Sequence, residues 1–187
     1  MVINEDITMT STFILVIVIV AIIIRWIISI QHKLIRLDEN IHQAMNQIGI
    51  QLSGRFDALT ALLYVTKIYA QYESEILLEA IQSQRSIITA KSNPEQVMCQ
   101  ELVISETLDR IAMIAKEFPE LKTNQTYNKA RDAVEIFGKM IRTSHLLYND
   151  CVMKLNREIR MFPVSFIAGM LGVREREYLE EMAKSDP

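Results

Sequence analysis

The chain has 187 residues, of which 50% are hydrophobic and 23% are charged, and it contains only 5 Gly and 4 Pro. Turns and irregular segments rely on Gly and Pro, whereas long helices exclude both, so the composition predicts an all-α protein. The net charge is −3 and the Lys and Arg residues are dispersed, which argues against nucleic acid as a partner. Cys99 and Cys151 match no metal or redox spacing, so we expect two unpaired thiols.

An apolar run near the N-terminus predicts a transmembrane anchor. Phe13 to Ile24 contains no polar residue, and a further apolar stretch after Arg25 and Trp26 continues to Ile30. As a helix, Thr10 to Ile30 is about 30 Å long, which matches a bilayer core. Arg25 lies near one end, where its side chain can reach the headgroups. The predicted anchor residues are Phe13, Ile14, Leu15, Val16, Ile17, Val18, Ile19, Val20, Ala21, Ile22, Ile23, Ile24, Arg25 and Trp26.

A cleaved signal peptide is the alternative to an uncleaved signal anchor. Such peptides start with basic residues and end with small ones, whereas this chain starts with acidic residues and its apolar run leads into Arg-Trp-Ile. Arg25, Lys33 and Arg36 follow the run and no basic residue precedes it, so the positive-inside rule places the N-terminus outside. The predicted organisation is a short external segment (1–9), a single-pass membrane span (10–30) and a cytoplasmic helical domain (31–187).

Apolar residues recur every three or four positions after the anchor, which is typical of helices. The stripe from Leu34 to Leu62 meets no proline, so we expect the membrane helix to continue as one long helix to about Thr89. A second helix is predicted from Pro94 to Lys116, a third from Thr126 to Phe162, and a short segment after Pro163. This pattern predicts an antiparallel up-down bundle of three long helices plus a short C-terminal helix, with coiled-coil-like crossing angles.

The short C-terminal segment has two possible positions. Val164 to Val173 is apolar and contains Gly169 and Gly172, and it is too short to span a membrane. It can dock on the bundle or lie in the membrane interface. We favour docking, because few basic residues accompany the segment.

Polar residues on the third helix predict either a register-fixing network or a ligand pocket. Tyr148 lies on the apolar stripe, and Asn149 and Asn156 lie at its edge, seven residues apart. Amides at a helix interface fix register because a slipped pairing leaves them unsatisfied, and we favour this interpretation. Charged residues on other helices could complete the network. The predicted inter-helix network is Arg55, Asp57, Glu73, Arg85, Glu117, Tyr148, Asn149 and Asn156.

The motifs of common enzymes and metal sites give no indication of catalysis. His32, His42 and His145 form no pair four residues apart, and no phosphate-binding loop, dinucleotide-binding glycine motif or nucleophile elbow occurs. We therefore expect a non-enzymatic protein with no metal ion and no cofactor.

Several motifs, in order along the chain, resemble the LemA family. The segment NQIGIQLSGRFDALTALLYVTKIYAQYE with the later Ile81 and Arg85 is similar to that family's first soluble helix, and EFPELKTN is similar to its Glu-Tyr-Pro-Asp-Leu-Lys turn. The third helix and tail are similar at Tyr148 to Asp150, Asn156, Phe162-Pro163, Ala168, Gly172 and Tyr178 to Glu180. The resemblance covers nearly the whole chain and implies a bacterial membrane-anchored helical bundle without an agreed activity.

The chain departs from the family pattern in three places. Leu59 to Leu62 reads Leu-Thr-Ala-Leu where the family usually has Ile-Pro-Asn-Leu, His145 stands where it usually has Arg, and Gly138 where it often has Glu. These departures remove polar groups, so we expect a thinner buried polar network than in other members.

The predicted function is a scaffold at the cytoplasmic face of the bacterial inner membrane, which self-assembles, organises partner proteins, or does both. Apolar residues off the main stripe, expected at Leu63, Ile68, Leu77 and Ile88, would form homo-oligomer contacts. An unidentified membrane or cytoplasmic protein is a further possible partner. The alternatives are a signalling or sensory adaptor and a binder of a small ligand between helices. A helix unbroken at its glycines would favour scaffold or adaptor, and a closed polar cavity around Tyr148 would favour the ligand binder.

Overall fold

The protein is all-helical in the computed structural model, which describes residues 2–179, with side chains from residue 13 onward. This part of the chain contains no strand, so the all-α prediction is confirmed. Met1, in the predicted external segment, and residues 180–187, at the end of the predicted helical domain, lie outside the described residues. The helices of the described part are α1 (Val2–Thr66), α2 (Gln71–Gln84), α3 (Pro94–Glu117), α4 (Pro119–Thr123), α5 (Gln125–Arg160) and α6 (Val164–Leu171).

The chain forms two compact units. The first unit comprises Met1–Glu39 and Lys154–Arg176, and the second comprises Asn40–Met153 and Glu177–Pro187. Helices α1 and α5 each contribute to both units. The predicted apolar stripe of α1 forms much of the core of the second unit, since its residues from Ile41 to Leu62 at this spacing are buried.

Helix α1 passes through both of its glycines without a break, as predicted. In the second unit, a Cβ atom at Gly49 would lie 2.1 Å from the backbone oxygen of Ile88, and one at Gly54 would lie 2.4 Å from the Phe137 ring. These glycines therefore permit close packing against neighbouring segments and do not end the helix.

The prediction that the first helix continues to about Thr89 is wrong. Helix α1 ends at Thr66, a turn follows, and α2 begins at Gln71. The hydrogen bonds tighten there to three-residue spacing, as in the bond from the Tyr69 amide to the Thr66 carbonyl (3.0 Å). Ala70 is buried beyond this turn, and α2 packs against α3. Because neither Gly nor Pro marks the turn, only tertiary packing accounts for it.

The predicted turn before the second helix is confirmed and has a clear local cause. Asn93 caps α3 by accepting a hydrogen bond from the Gln96 amide (2.9 Å), and the Gln96 side chain accepts one from the Asn93 amide (3.0 Å). This reciprocal arrangement satisfies two otherwise free amides at the helix start, and Pro94 suits the first helical position.

The C-terminal part of the chain changes from helical to non-helical backbone after α6. Helix α5 ends at Arg160, and a cis peptide bond joins Phe162 to Pro163 before α6. Gly172 ends α6 with a φ of 70°, a left-handed conformation that glycine adopts without steric cost. The following residues, Val173–Leu179, are not helical, and we call them the extended tail.

Candidate functional site

In the second unit, Tyr148 and Asn149 bind the backbone of the extended tail. The Asn149 side-chain amide donates to the Leu179 carbonyl and accepts from the Leu179 amide, both at 2.8 Å. The Tyr148 hydroxyl donates to the Glu177 carbonyl at 3.2 Å. A carboxamide offers one donor and one acceptor side by side, so it can pair with both polar groups of a single residue's backbone. These polar residues therefore anchor a segment of the same chain.

The first unit contains the same arrangement at Asn156. The Asn156 amide donates to the Arg176 carbonyl and accepts from the Arg176 amide, both at 2.9 Å. Asn156 is buried, so its unpaired amide would be costly, and the two bonds satisfy it.

Both asparagines thus pair with the donor and the acceptor of one tail residue, Asn149 with Leu179 in the second unit and Asn156 with Arg176 in the first. The sequence predicted that these amides fix register at an interface between helices, whereas in the structure both bind the backbone of the extended tail.

Ion pairs hold the first unit's part of the extended tail. The Arg176 guanidinium donates to the Asp38 carboxylate at 2.8 and 3.2 Å. Arg160 donates to Glu175 at 2.8 Å, and this hydrogen bond lowers the pKa of the Glu175 carboxyl. Both pairs are largely exposed, so each contributes little to stability alone and serves mainly to position the segment.

The structure divides the predicted inter-helix network. Arg85 pairs with Asp57 at 2.8 Å and donates to the Ser53 hydroxyl at 2.7 Å, at the surface of the second unit. Glu73 and Glu117 are both exposed, and within the described residues neither forms a hydrogen bond or an ion pair with Asp57 or Arg85. Asp57 and Arg85 are thus brought together, and the other charged members lie elsewhere.

Arg55 belongs to a separate buried group with Glu101 of α3 and His145 of α5. The Glu101 carboxylate lies 3.8 Å from His145 Nε2, and both side chains are almost fully buried. Burial raises the pKa of Glu101, and the positive charges of Arg55 and Arg142 act against this rise. Burial likewise lowers the pKa of Arg55, opposed by the Glu101 charge. The group is a compact set of charged and polar side chains within the second unit.

Sequence reasoning missed Glu101 as a buried residue, although a signal was present. Glu101 lies between Val97 and Ile104 at the spacing of the α3 apolar stripe, so a carboxylate occupies a core position. Gly138 is also explained by this group, because a Cβ atom there would lie 3.2 Å from the Arg55 guanidinium. The position that departs from the family pattern therefore leaves space for the Arg55 side chain.

The predicted anchor side chains are exposed to the surroundings. From Phe13 to Val20 the exposed fraction falls only from 71% to 48%, and residues 22–28 include further exposed aliphatic side chains and Trp26. Among the described residues, α1 is a helix that is long and apolar enough to cross a membrane. A signal sequence near the N-terminus has the same property.

The model of the LemA family matches residues 44–187 of the chain, which is most of its length. The chain belongs to the LemA family. No curated protein matches it significantly. The match begins after the apolar part of α1 and includes Asn149, Asn156 and the extended tail, so the asparagine–tail contacts are within the LemA region.

Among the described side chains there is no group of three or more His, Cys, Asp or Glu that could hold a metal ion. Glu39 and His42, which precede the LemA region, have a Glu-x-x-His spacing. The side chains of Tyr148 and Asn149, which a ligand pocket would need, are bonded to the backbone of Glu177 and Leu179. These hydrogen bonds hold a segment of the same chain in place.

Proposed function

We propose that this LemA-family protein is a non-enzymatic scaffold anchored in a membrane by the N-terminal part of α1. The observation that carries the proposal is the row of exposed apolar side chains on a helix that continues into the LemA region. Insertion of each large apolar residue contributes about −0.3 to −0.6 kcal/mol, so the large apolar residues from Phe13 to Ile24 together contribute about −3 to −7 kcal/mol. That sum exceeds the cost of Arg25, which is about 2.5–3.5 kcal/mol at a bilayer centre and lower near its edge.

The helix itself supports an uncleaved anchor. Helix α1 continues past the apolar run, and Ile30, at the end of the predicted span, and Leu34, just beyond it, are buried in the first unit. Cleavage after the apolar run would expose or remove residues that contribute to this core. The proposal places the N-terminus outside and the helical domain in the cytoplasm of a bacterium, because Arg25, Lys33 and Arg36 all follow the run.

An apolar stripe on α5 supports self-assembly of the scaffold. Ile136, Met140 and Leu147 are about half exposed, and their spacing places them on one side of the helix. The self-association residues predicted from the sequence differ: Leu63, Leu77 and Ile88 are buried, and only Ile68 is exposed. We propose that the α5 stripe forms the contact between copies, and that α1, α3 and α5 adopt the antiparallel up-down arrangement within each copy.

The anchor is tested by extraction of full-length protein from its membrane at alkaline pH. The double variant Val18→Arg/Ile22→Arg should move to the soluble fraction, because two charges in the hydrocarbon core are costly. Ile50→Arg is the matched control, since Ile50 is similarly exposed on the same helix beyond the apolar run. The intact mass of the wild-type protein must include the apolar run, and a mass lacking this run would identify a cleaved signal sequence.

Self-assembly is tested by native mass after gentle extraction and by cross-linking through Met140→Cys, with Cys99 and Cys151 replaced by Ser. We expect a single homo-oligomer and a cross-linked dimer. Arg131→Cys is the control, because position 131 is exposed on the opposite side of α5. A monomer that carries a second protein in fixed ratio would instead support a signalling adaptor.

A further inference from the structure

The segment from Phe162 to Leu171, which we call the α6 segment, exposes large apolar side chains in the first unit. Phe162 is 87% exposed, Phe166 is 69% exposed and Met170 is 76% exposed. Only one side of α6 is covered, through the buried residues Ile167 and Ala168. A surface of this kind on a polar domain marks a contact with another apolar phase.

The α6 segment lies beside the end of the predicted membrane span. In the first unit, Trp26 and Ile27 of α1 line an open groove of about 310 Å³ together with Phe162, Phe166 and Met170. Every side chain that lines this groove is aliphatic or aromatic, apart from the thioether of methionine. The exposed surface of the α6 segment is therefore continuous with the apolar surface of the span.

The depth of this groove fits a membrane interface. Trp26 and Ile27 are three to four residues from Ile30, the predicted end of the span, which corresponds to about 5 Å along the helix. Interfacial helices bury their apolar face by about 5–10 Å at the boundary between headgroups and acyl chains. A segment that contacts Trp26 and Ile27 is thus held at the depth where such helices lie.

The scarcity of basic residues favoured docking in the sequence, but the absence of any charge within the α6 segment equally permits insertion. No charged residue occurs from Met161 to Val173, whereas Arg160 precedes this interval and Arg174 follows it. Arg160 is paired with Glu175, so the two ends of the interval are tied together by an ion pair at its polar side. The chain therefore forms an apolar loop with a charged base, a shape suited to partial insertion.

We propose that the α6 segment is a second membrane contact, inserted among lipid acyl chains in the leaflet that holds the C-terminal end of the span. This inference rests on the proposed anchor, and it adds a contact that fixes the orientation of the first unit at the bilayer surface. The partner is a lipid bilayer, because the exposed side chains join the lipid-facing surface of α1.

The test places an environment-sensitive fluorophore on the full-length protein in phosphatidylethanolamine–phosphatidylglycerol vesicles. Met170→Cys carries the label, with Cys99 and Cys151 replaced by Ser. Ile17→Cys is the control for the anchor, and Ile87→Cys, at a position 85% exposed in the second unit, is the control for the aqueous phase. Phospholipids with a spin label near the top of the acyl chain quench any fluorophore that contacts lipid.

The proposal expects blue-shifted emission and quenching at Met170→Cys and Ile17→Cys, and neither effect at Ile87→Cys. Quenching at Ile17→Cys with red-shifted, unquenched emission at Met170→Cys would overturn it and leave the anchor intact. Blue-shifted emission at Met170→Cys without quenching would also overturn it, because the segment would then be covered by protein, as in a contact between copies. Absence of quenching at Ile17→Cys would overturn the anchor and, with it, this placement.

Discussion

Replacement of Asn149 by Ala should release the end of the extended tail. The variant loses two hydrogen bonds of 2.8 Å to the backbone of Leu179. Each such bond contributes about 0.5–1.5 kcal/mol net, so the attachment weakens by about 1–3 kcal/mol. Since about 1.4 kcal/mol changes an equilibrium constant tenfold, local opening should become roughly 5 to 150 times more frequent.

The assay is hydrogen–deuterium exchange of full-length protein in lipid, followed in peptides that contain Leu179. The exchange of the Leu179 amide should accelerate by the stated factor in Asn149→Ala, while the Arg176 amide, which Asn156 holds in the first unit, and peptides from α3 remain unchanged. Asn46→Ala is the matched control, because Asn46 is an exposed asparagine on α1 of the same unit. Asn149→Asp should release the tail as well, because a carboxylate can accept from the Leu179 amide but repels its carbonyl oxygen.

An unchanged exchange rate in Asn149→Ala would refute the reasoning. It would mean that the buried Leu179 side chain holds the tail without the amide, and that the asparagine is not its anchor. A loss of protection throughout the second unit would also contradict it, because the argument assigns Asn149 a local role.

Two further predictions concern glycine packing and the buried Glu101. Gly49→Ala should lower the free energy of unfolding by about 1–3 kcal/mol or more, because the new methyl group meets the Ile88 backbone oxygen. Gly169→Ala, at a helical position with open space around it, should raise the free energy of unfolding by about 0.5–1 kcal/mol. Denaturant unfolding measures both changes, and changes of the same sign in the two variants would contradict the reasoning. Burial raises the folded-state pKa of Glu101 above its unfolded value, so its contribution to stability is lost as pH rises from about 4.3 through that folded pKa. In Glu101→Gln the free energy of unfolding should no longer fall over this pH range. Its overall value should drop, because Arg55 loses an attractive charge. A pH profile of stability parallel to that of the wild type would contradict the prediction.

The sequence predicted the helical class, the apolar span and the main helix of the core. These follow from local signals: an apolar run long enough for a bilayer, and apolar residues at helical spacing from Ile41 to Leu62 that the structure buries. The capping of α3 by Asn93 is equally local, because its partners lie within three residues. Such features depend on neighbouring residues alone, and sequence reasoning reaches them.

The partners of the polar residues could not be obtained in this way. The side chains of Tyr148, Asn149 and Asn156 were identified as polar groups in a structural role, but their partners lie 20 to 30 residues further along, on backbone that any sequence offers. Backbone donors and acceptors carry no sequence signal, so the pairing is visible only when the chain is folded. The same holds for Glu101, whose charged neighbours come from α1 and α5.

The sequence by itself determined that this protein is a helical member of the LemA family with an apolar N-terminal helix, since composition, periodicity and motif order are properties of the chain. Only the tertiary structure decided where α1 ends, which asparagine contacts which part of the extended tail, and that the α6 segment lies against Trp26 and Ile27. The physical reason is that helix formation and hydrophobic patterning act over a few residues, whereas the turn at residues 67–70 and the position of α6 depend on surfaces that meet only in the folded chain.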